Sequence, residues 1–196
     1  MNNNNASTRT KETIKRTFFD LLSQKDFSAI TLSEIINAST YCRSTFYKYY
    51  ENKFDFAEKI FDEEIAGFAA AILKTISINS PVDDEASSYA MLYDINSYVD
   101  TRKPFFFSII DETIPGYSIA KASDRLHNDL ISNIKINDEN WMKGIDKDYY
   151  FYMVAHDIFA SIRYWFINSY IKTVDDLVKI MLDIYKSTGF YSVRLK

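Results

Sequence analysis

An all-α fold with about nine helices is what this chain of 196 residues predicts, on three observations. Glycine and proline are scarce, at 4 and 3 residues, which disfavours a turn-rich β architecture. Apolar side chains recur at helical spacing through most of the chain, and no period-two alternation runs long enough to specify a sheet. Hydrophobic residues make up 47% and aromatic residues 16%, enough for a sizeable core and too much for a disordered chain.

Residues 1–8, with the Asn2–Asn5 tract, read as a disordered arm. From about Arg9 to Gln24, residues Ile14, Phe18, Leu21 and Leu22 form one helical stripe. Phe27 and Ile30 follow in a short connection. Thr31 with Glu34 three residues later is a capping-box pattern, so a helix starts at Leu32 with Leu32, Ile35 and Ile36 facing inward. A turn over Ala38–Tyr41 leads to a second short helix from near Cys42 to near Tyr49. Phe46 and Tyr50, four apart, are expected to anchor it to the first helix.

Asn52 is placed to cap a long helix from Lys53 to about Thr75, which carries Phe54, Ala57, Phe61, Ile65, Phe68 and Ile72. Pro81 breaks the pattern. Helices are then expected from about Glu85 to Asp100, from Pro104 to Asp111, from Tyr117 to Asn133, and from Asp146 to Ile171. Thr173 or Asp175 caps a last helix to about Tyr185. The expected domains are residues 9–53, residues 54–186 and a tail over 187–196.

Charge is unevenly distributed. Net charge is -4, yet the first 53 residues carry eight basic against five acidic side chains, and the rest is acidic. A basic head on an acidic body suits one end that meets phosphate. Two short helices joined by a tight turn form a helix-turn-helix, whose second helix enters the DNA major groove. Thr31 at a helix start offers a hydroxyl and a free N–H to phosphate, and Ser33 is placed to do the same. Arg43 suits base reading, since its fork can hold guanine O6 and N7 together, while Ser44 and Thr45 are short enough to let the helix approach. Tyr47 and Tyr49 suit phosphate oxygens on opposite groove walls, Lys48 can reach base or backbone, and Lys53 adds its charge to a helix N-terminus. Cys42 adjoins this run.

The segment from Thr8 to about Phe61 resembles the DNA-binding domain of the TetR family of transcriptional regulators. The residues that carry the resemblance are Ile14, Phe18 and Leu22, Ile30-Thr31-Leu32, Glu34-Ile35-Ile36, Arg43-Ser44-Thr45-Phe46-Tyr47, Tyr49-Tyr50 and Asn52-Lys53. The resemblance implies that Thr31, Arg43, Thr45, Tyr47, Tyr49 and Lys53 meet DNA. At the turn the chain departs from the family's pattern: Ser39-Thr40-Tyr41-Cys42 stands where a small residue, Gly or Asp, an apolar residue and Ser or Asn are usual. Thr40 lacks glycine's conformational freedom there, and Cys42 is a poor helix cap.

Beyond residue 61 the chain loosely resembles the helical ligand-binding and dimerisation half of such regulators. Tyr164-Trp165-Phe166-Ile167-Asn168 followed by Asp175-Asp176-Leu177 is similar to a subgroup common in low-GC Gram-positive bacteria. The resemblance implies that the last two helices pair with a second copy, with Ile158, Ile162, Trp165, Leu177, Ile180, Met181 and Ile184 as candidates. The penultimate helix is apolar or aromatic almost all round, which by itself asks for burial on every face. Phe105, Phe106, Phe107, Tyr117, Tyr152, His156 and Phe159 are candidates to line a pocket for a small apolar or aromatic effector, though for any single one of them core packing is the favoured reading. His127, beside Asn128 and Asp129, is expected on a solvated face.

Catalysis and metal binding find no support. Two histidines and one cysteine, far apart, give no zinc-ligand spacing, and no phosphate loop or nucleophile motif occurs. No cofactor is expected. The lone Cys42 excludes an internal disulfide, and no apolar run approaches the roughly 20 residues of a membrane span. The expectation is a cytoplasmic, homodimeric, ligand-responsive repressor of a palindromic operator. The rival is a coactivator or adaptor that keeps the helix-turn-helix frame and works through protein contacts.

Overall fold

A computed structural model describes residues 2–78, 85–134, 144–168 and 173–188. Among them are nine α-helices and a single-turn 3-10 helix, with no strand. The helices are α1 (Asn2–Leu22), α2 (Leu32–Ala38), α3 (Arg43–Tyr47), α4 (Lys53–Ile78), α5 (Glu85–Asp100), α6 (Lys103–Ile110), α7 (Ile119–Asn133), α8 (Lys147–Ile167) and α9 (Val174–Thr188), and the 3-10 turn is Phe27–Ala29. The all-α expectation therefore holds.

Local chemistry sets several ends. Thr31 and Glu34 form the expected reciprocal box at the start of α2. Asn52 Oδ1 accepts from the amides of Phe54 and Asp55 at the start of α4. Asp146 Oδ1 accepts from the Tyr149 amide. At α9 the cap is Thr173 and not Asp175, because Thr173 Oγ1 accepts from the Asp176 amide and Asp176 answers on the Thr173 amide. α1 begins at Asn2, well ahead of the apolar stripe at Ile14, so the start expected near Arg9 is late by about two turns, and the arm expected to be disordered is helical from Asn2. The tail beyond residue 188, the break around Pro81 and most of the 134–145 loop lie outside the described residues.

The chain divides into two compact units, one formed by Met1–Glu64 with Arg102–Ser118, the other by Ile65–Thr101 with Ile119–Lys196. In the first, Ile14 and Phe18 of α1, Phe27, Ile30, Ile35, Ile36, Phe46 and Tyr50 are buried with Phe56 and Ile60 of α4. Phe56 is the hub: its ring lies 5.0 Å from Phe18, 5.5 Å from Phe46 and 4.7 Å from Tyr50. Phe46 and Tyr50 thus meet α4, and Phe56 stands between them and α1. Phe54, expected on the buried stripe, is instead 63% exposed. Pro104 occupies the first turn of α6, where a missing amide hydrogen costs nothing.

In the second unit α7 packs on α8 and α5 on α9. α8 buries Phe151, Ala155, Phe159, Ile162 and Trp165, a single stripe. Tyr149, Tyr152, Met153, Tyr164 and Ile167 on the same helix are exposed, so all-round burial is not achieved within one chain.

Candidate nucleic-acid interface

The helix-turn-helix is α2, the Ser39–Cys42 connection and α3. Its turn places Thr40 at φ 62, the left-handed conformation that glycine adopts freely and a β-branched residue does not. The departure from Gly or Asp at this position is therefore carried as backbone strain, while the tight turn itself survives. Ser39, fully covered, returns its hydroxyl to the Ile36 carbonyl.

α3 is held from behind by Phe46 and from its end by α4. Lys59 Nζ donates to the Tyr49 carbonyl and pairs with Asp55, whose other contact is the Glu51 amide. Arg43, Ser44, Tyr47 and Lys48 face solvent, Tyr47 at 50% exposure, and Thr45 and Tyr49 are half-buried. Lys11 of α1 sits 5.4 Å over the Tyr49 ring, which brings a further cation to this face.

The polar groups on this surface already hold one another. Arg43 Nη2 donates to Ser33 Oγ at 2.6 Å, bridging α2 and α3. Cys42 caps α3 without a side-chain bond to its backbone amides. Its sulfur instead lies 3.1 Å from Ser44 Oγ and 3.0 Å from Thr45 Oγ1. Hydrogen bonds from Ser44, then Thr45, pull the thiol down to about 7.

Two sequence-derived roles change. Thr31 was expected to offer phosphate a free N–H, but that amide donates to Glu34 Oε2 at 2.8 Å, and the Thr31 hydroxyl is shared with the same carboxylate. Glu34 is further paired with Lys25, and the Lys25 and Thr31 bonds hold its carboxyl down near 2. Lys53 was expected as a charge at a helix N-terminus. Its Nζ instead donates to the carbonyls of Phe27 at 2.9 Å and Ile30 at 2.7 Å. Burial pushes its ammonium down, with Glu34 opposing.

Sequence reasoning missed the buried ion cluster of the first unit. Glu64 is 2% exposed, with Lys15 Nζ at 2.9 Å and Arg102 Nε at 2.7 Å. A signal existed, because Glu64 lies four residues after Ile60 and four before Phe68, on the buried stripe of α4. Phe56 was missed because it lies off the stripe traced through Phe54 and Ala57.

The effector candidates fall in separate units. Phe105 and Phe106 are buried in the first, with Phe105 6.2 Å and Tyr117 4.5 Å from Phe61. Phe107 is exposed. Phe159 is buried in the second unit, while Tyr152 is exposed and packs 4.1 Å from the half-buried His156. His127 is the more covered histidine and not the solvated one, since it reaches Asp148 at 3.1 Å across the α7–α8 seam. His156 meets the Tyr152 carbonyl and lies 3.9 Å from Asp124. Of the dimerisation candidates, Ile162, Trp165 and Leu177 are buried within the chain. Ile158, Ile180 and Met181 are half-buried and Ile184 is exposed. Among the described residues no group of His, Cys, Asp or Glu is arranged to hold a metal, and no helix is long and apolar enough to cross a membrane.

α3 and the Lys48 that ends it thus present Arg43, Ser44, Tyr47 and Lys48 to solvent on an aromatic base. The fold is that of the TetR-type proteins. The chain matches the TetR family repressor AlkX of Dietzia sp. strain DQ12-45-1b, implicated in biodegradation of n-alkanes, with TM-score 0.53 and 20% identity over 95% of this chain and 97% of that one. A TetR transcriptional regulator of Streptococcus agalactiae 2603V matches with TM-score 0.56 and 20% identity over 92% and 96% of the two chains. The dihydroxyacetone kinase operon activator DhaS matches with TM-score 0.51 and 23% identity over 91% and 97%. In sequence, the chain is 36% identical over 73 residues to YxbF of Bacillus subtilis, an uncharacterized HTH-type transcriptional regulator. That span is 37% of this chain and 18% of that protein. No family model matches the chain.

Proposed function

We propose that the chain is a sequence-specific DNA-binding transcriptional regulator of the TetR type, a homodimeric repressor released from a palindromic operator by a small apolar or aromatic effector. Its role is binding and not catalysis. The observation that carries this is α3 with its C-terminal neighbour Lys48, where Arg43, Ser44, Tyr47 and Lys48 are exposed on an aromatic base. Arg43 reads a base edge, Ser44 and Thr45 allow close approach, and Tyr47, Lys48 and Tyr49 engage phosphate.

The exposed Tyr149, Met153, Tyr164, Ile167 and Ile184 of α8 and α9 support a second copy as their cover. A dimer is also what two reading helices need to meet half-sites roughly 34–36 Å apart. The effector reading is supported by Ser123 of α7. Its hydroxyl is buried with no hydrogen-bond partner among the described residues, a position that a polar group on a ligand would complete. α4 is one unbroken helix from Lys53 to Ile78 and is the carrier proposed for coupling effector to operator.

The test is titration of duplexes, enriched from a random-sequence pool by the chain, over a range of salt. Binding should weaken steeply with salt. Arg43→Ala should relax preference at one position per half-site, at a cost of about 1–3 kcal/mol. Absence of salt-sensitive duplex binding overturns the proposal.

A further inference from the structure

A side-chain bond joins α2 to α3 across the turn, from Arg43 Nη2 to Ser33 Oγ at 2.6 Å. We propose that Ser33 is a positioning residue for Arg43: a post on α2 that aims the guanidinium before DNA arrives, and so sharpens preference at the base position Arg43 reads. The inference rests on the DNA-binding reading.

A long side chain on an exposed helix samples many rotamers, and ordering it on DNA opposes binding. Arg43 and Ser33 are both exposed, so burial does not order either. The bond between them supplies that order, and both of its ends stand on fixed elements. Ser33 lies in the first turn of α2, where Thr31 and Glu34 close the capping box and Lys25 holds the Glu34 carboxylate. Ile35 and Ile36, next along the helix, are buried. On the other side Phe46 anchors α3 with 1% of its surface exposed. Ser44 and Thr45 turn to the Cys42 sulfur on their own turn, while Arg43 reaches back to α2.

The bond leaves the base-reading fork usable. A guanidinium has five N–H groups and Ser33 takes one of them, so a pair remains for guanine O6 and N7. Ser33 accepts through its oxygen and keeps its own O–H to donate, so a phosphate contact is compatible with this role. The two roles differ in consequence. A phosphate contact strengthens every duplex alike, whereas aiming Arg43 acts at one base position.

The test measures affinity for an enriched duplex and for the same duplex changed at the position where Arg43→Ala relaxes preference. Ser33→Ala should cut the preference there by about two- to tenfold, the cost of ordering one long side chain on binding, and leave other positions alone. Ser33→Thr, which keeps the hydroxyl, should hold the preference. Ser33→Ala combined with Arg43→Ala should lose no more preference than Arg43→Ala alone. Equal weakening of both duplexes by Ser33→Ala marks a phosphate contact alone and overturns the positioning role. So does a loss in Ser33→Thr as large as that in Ser33→Ala, or additive losses in the combined variant. A second measurement needs no DNA: side-chain nitrogen relaxation of Arg43 by NMR should show an ordered guanidinium in the unaltered chain and a mobile one in Ser33→Ala. Equal mobility in the two overturns the inference even where duplex binding is intact. If the unaltered chain enriches no duplex, the DNA reading itself fails, which is a separate outcome.

Discussion

Replacing Glu64 with glutamine should destabilise the protein more than any single change on the exposed face of the helix-turn-helix. The carboxylate is 2% exposed and sits between Lys15 at 2.9 Å and Arg102 at 2.7 Å. Glutamine keeps the shape but supplies one neutral acceptor and turns an NH2 toward a cation. Breaking a buried ion pair by removing one partner costs about 3–5 kcal/mol. The lower end applies here, since Arg102 is about one-third exposed and Lys15 retains Glu12 at 2.8 Å. A loss of about 3 kcal/mol corresponds to roughly 6–12 °C in melting temperature for a chain of this size. The assay is urea and thermal unfolding followed by circular dichroism, completed as a double-mutant cycle with Arg102→Gln. The cycle should return a coupling of about 1 kcal/mol or more. A loss under about 1 kcal/mol, or additivity in the cycle, refutes the cluster as a stabilising unit. The cluster also has an alkaline limit. Burial alone lowers the Lys15 ammonium, but the bonds and charges of Glu12 and Glu64 outweigh it and the net shift is upward. A raised lysine stabilises fully below its ordinary value of 10.5 and loses that contribution as pH climbs past its folded value. The Glu64→Gln deficit should therefore shrink above that value.

Three further outcomes follow from the helix-turn-helix. Thr40→Gly relieves a left-handed backbone at an exposed site, and its gain is partly offset by glycine's entropy when unfolded. The urea midpoint should rise by an equivalent of about 0.5–1 kcal/mol, and a fall would show that Thr40 is not strained. The Tyr50 hydroxyl is buried without a partner among the described residues, with the ring 2% exposed. Tyr50→Phe should be stabilising by about 1 kcal/mol, and a destabilised variant would reveal a bond to that hydroxyl. Alkylation of Cys42 by iodoacetamide should reach half its limiting rate near pH 7, where Ser44 and Thr45 place the thiol, and Ser44→Ala should move that midpoint upward. A wild-type midpoint near the ordinary 9.0 would count against those hydrogen bonds.

Much of the frame was legible in the residues, because caps and stripes are local. Thr31 with Glu34, Asn52 and Asp146 each mark a helix start that the structure reproduces, since a capping side chain reaches only its own first turn. The turn at Ser39–Cys42 was legible as a place of conflict, and Thr40 carries that conflict in its φ. Less legible was which polar groups of the helix-turn-helix are already bonded within the chain. The sequence shows Thr31 and Lys53 beside helix starts. Only the folded chain shows that Glu34 has taken the Thr31 amide and that Lys53 has turned to carbonyls 23 and 26 residues earlier.

By itself the sequence determined the helical class, the order and rough extent of the helices, and an exposed basic and aromatic run on the second helix of a helix-turn-helix. Each of these depends on residues within a turn or two of one another, where spacing fixes geometry. Tertiary structure alone decided that Arg102–Ser118 joins the first compact unit, that Phe56 and not Phe54 fills its core, and that Glu64 binds cations from α1 and from the segment leading into α6. Those outcomes depend on which helix faces which across the core. Spacing along one helix says which side is apolar, and it leaves open which partner will cover it.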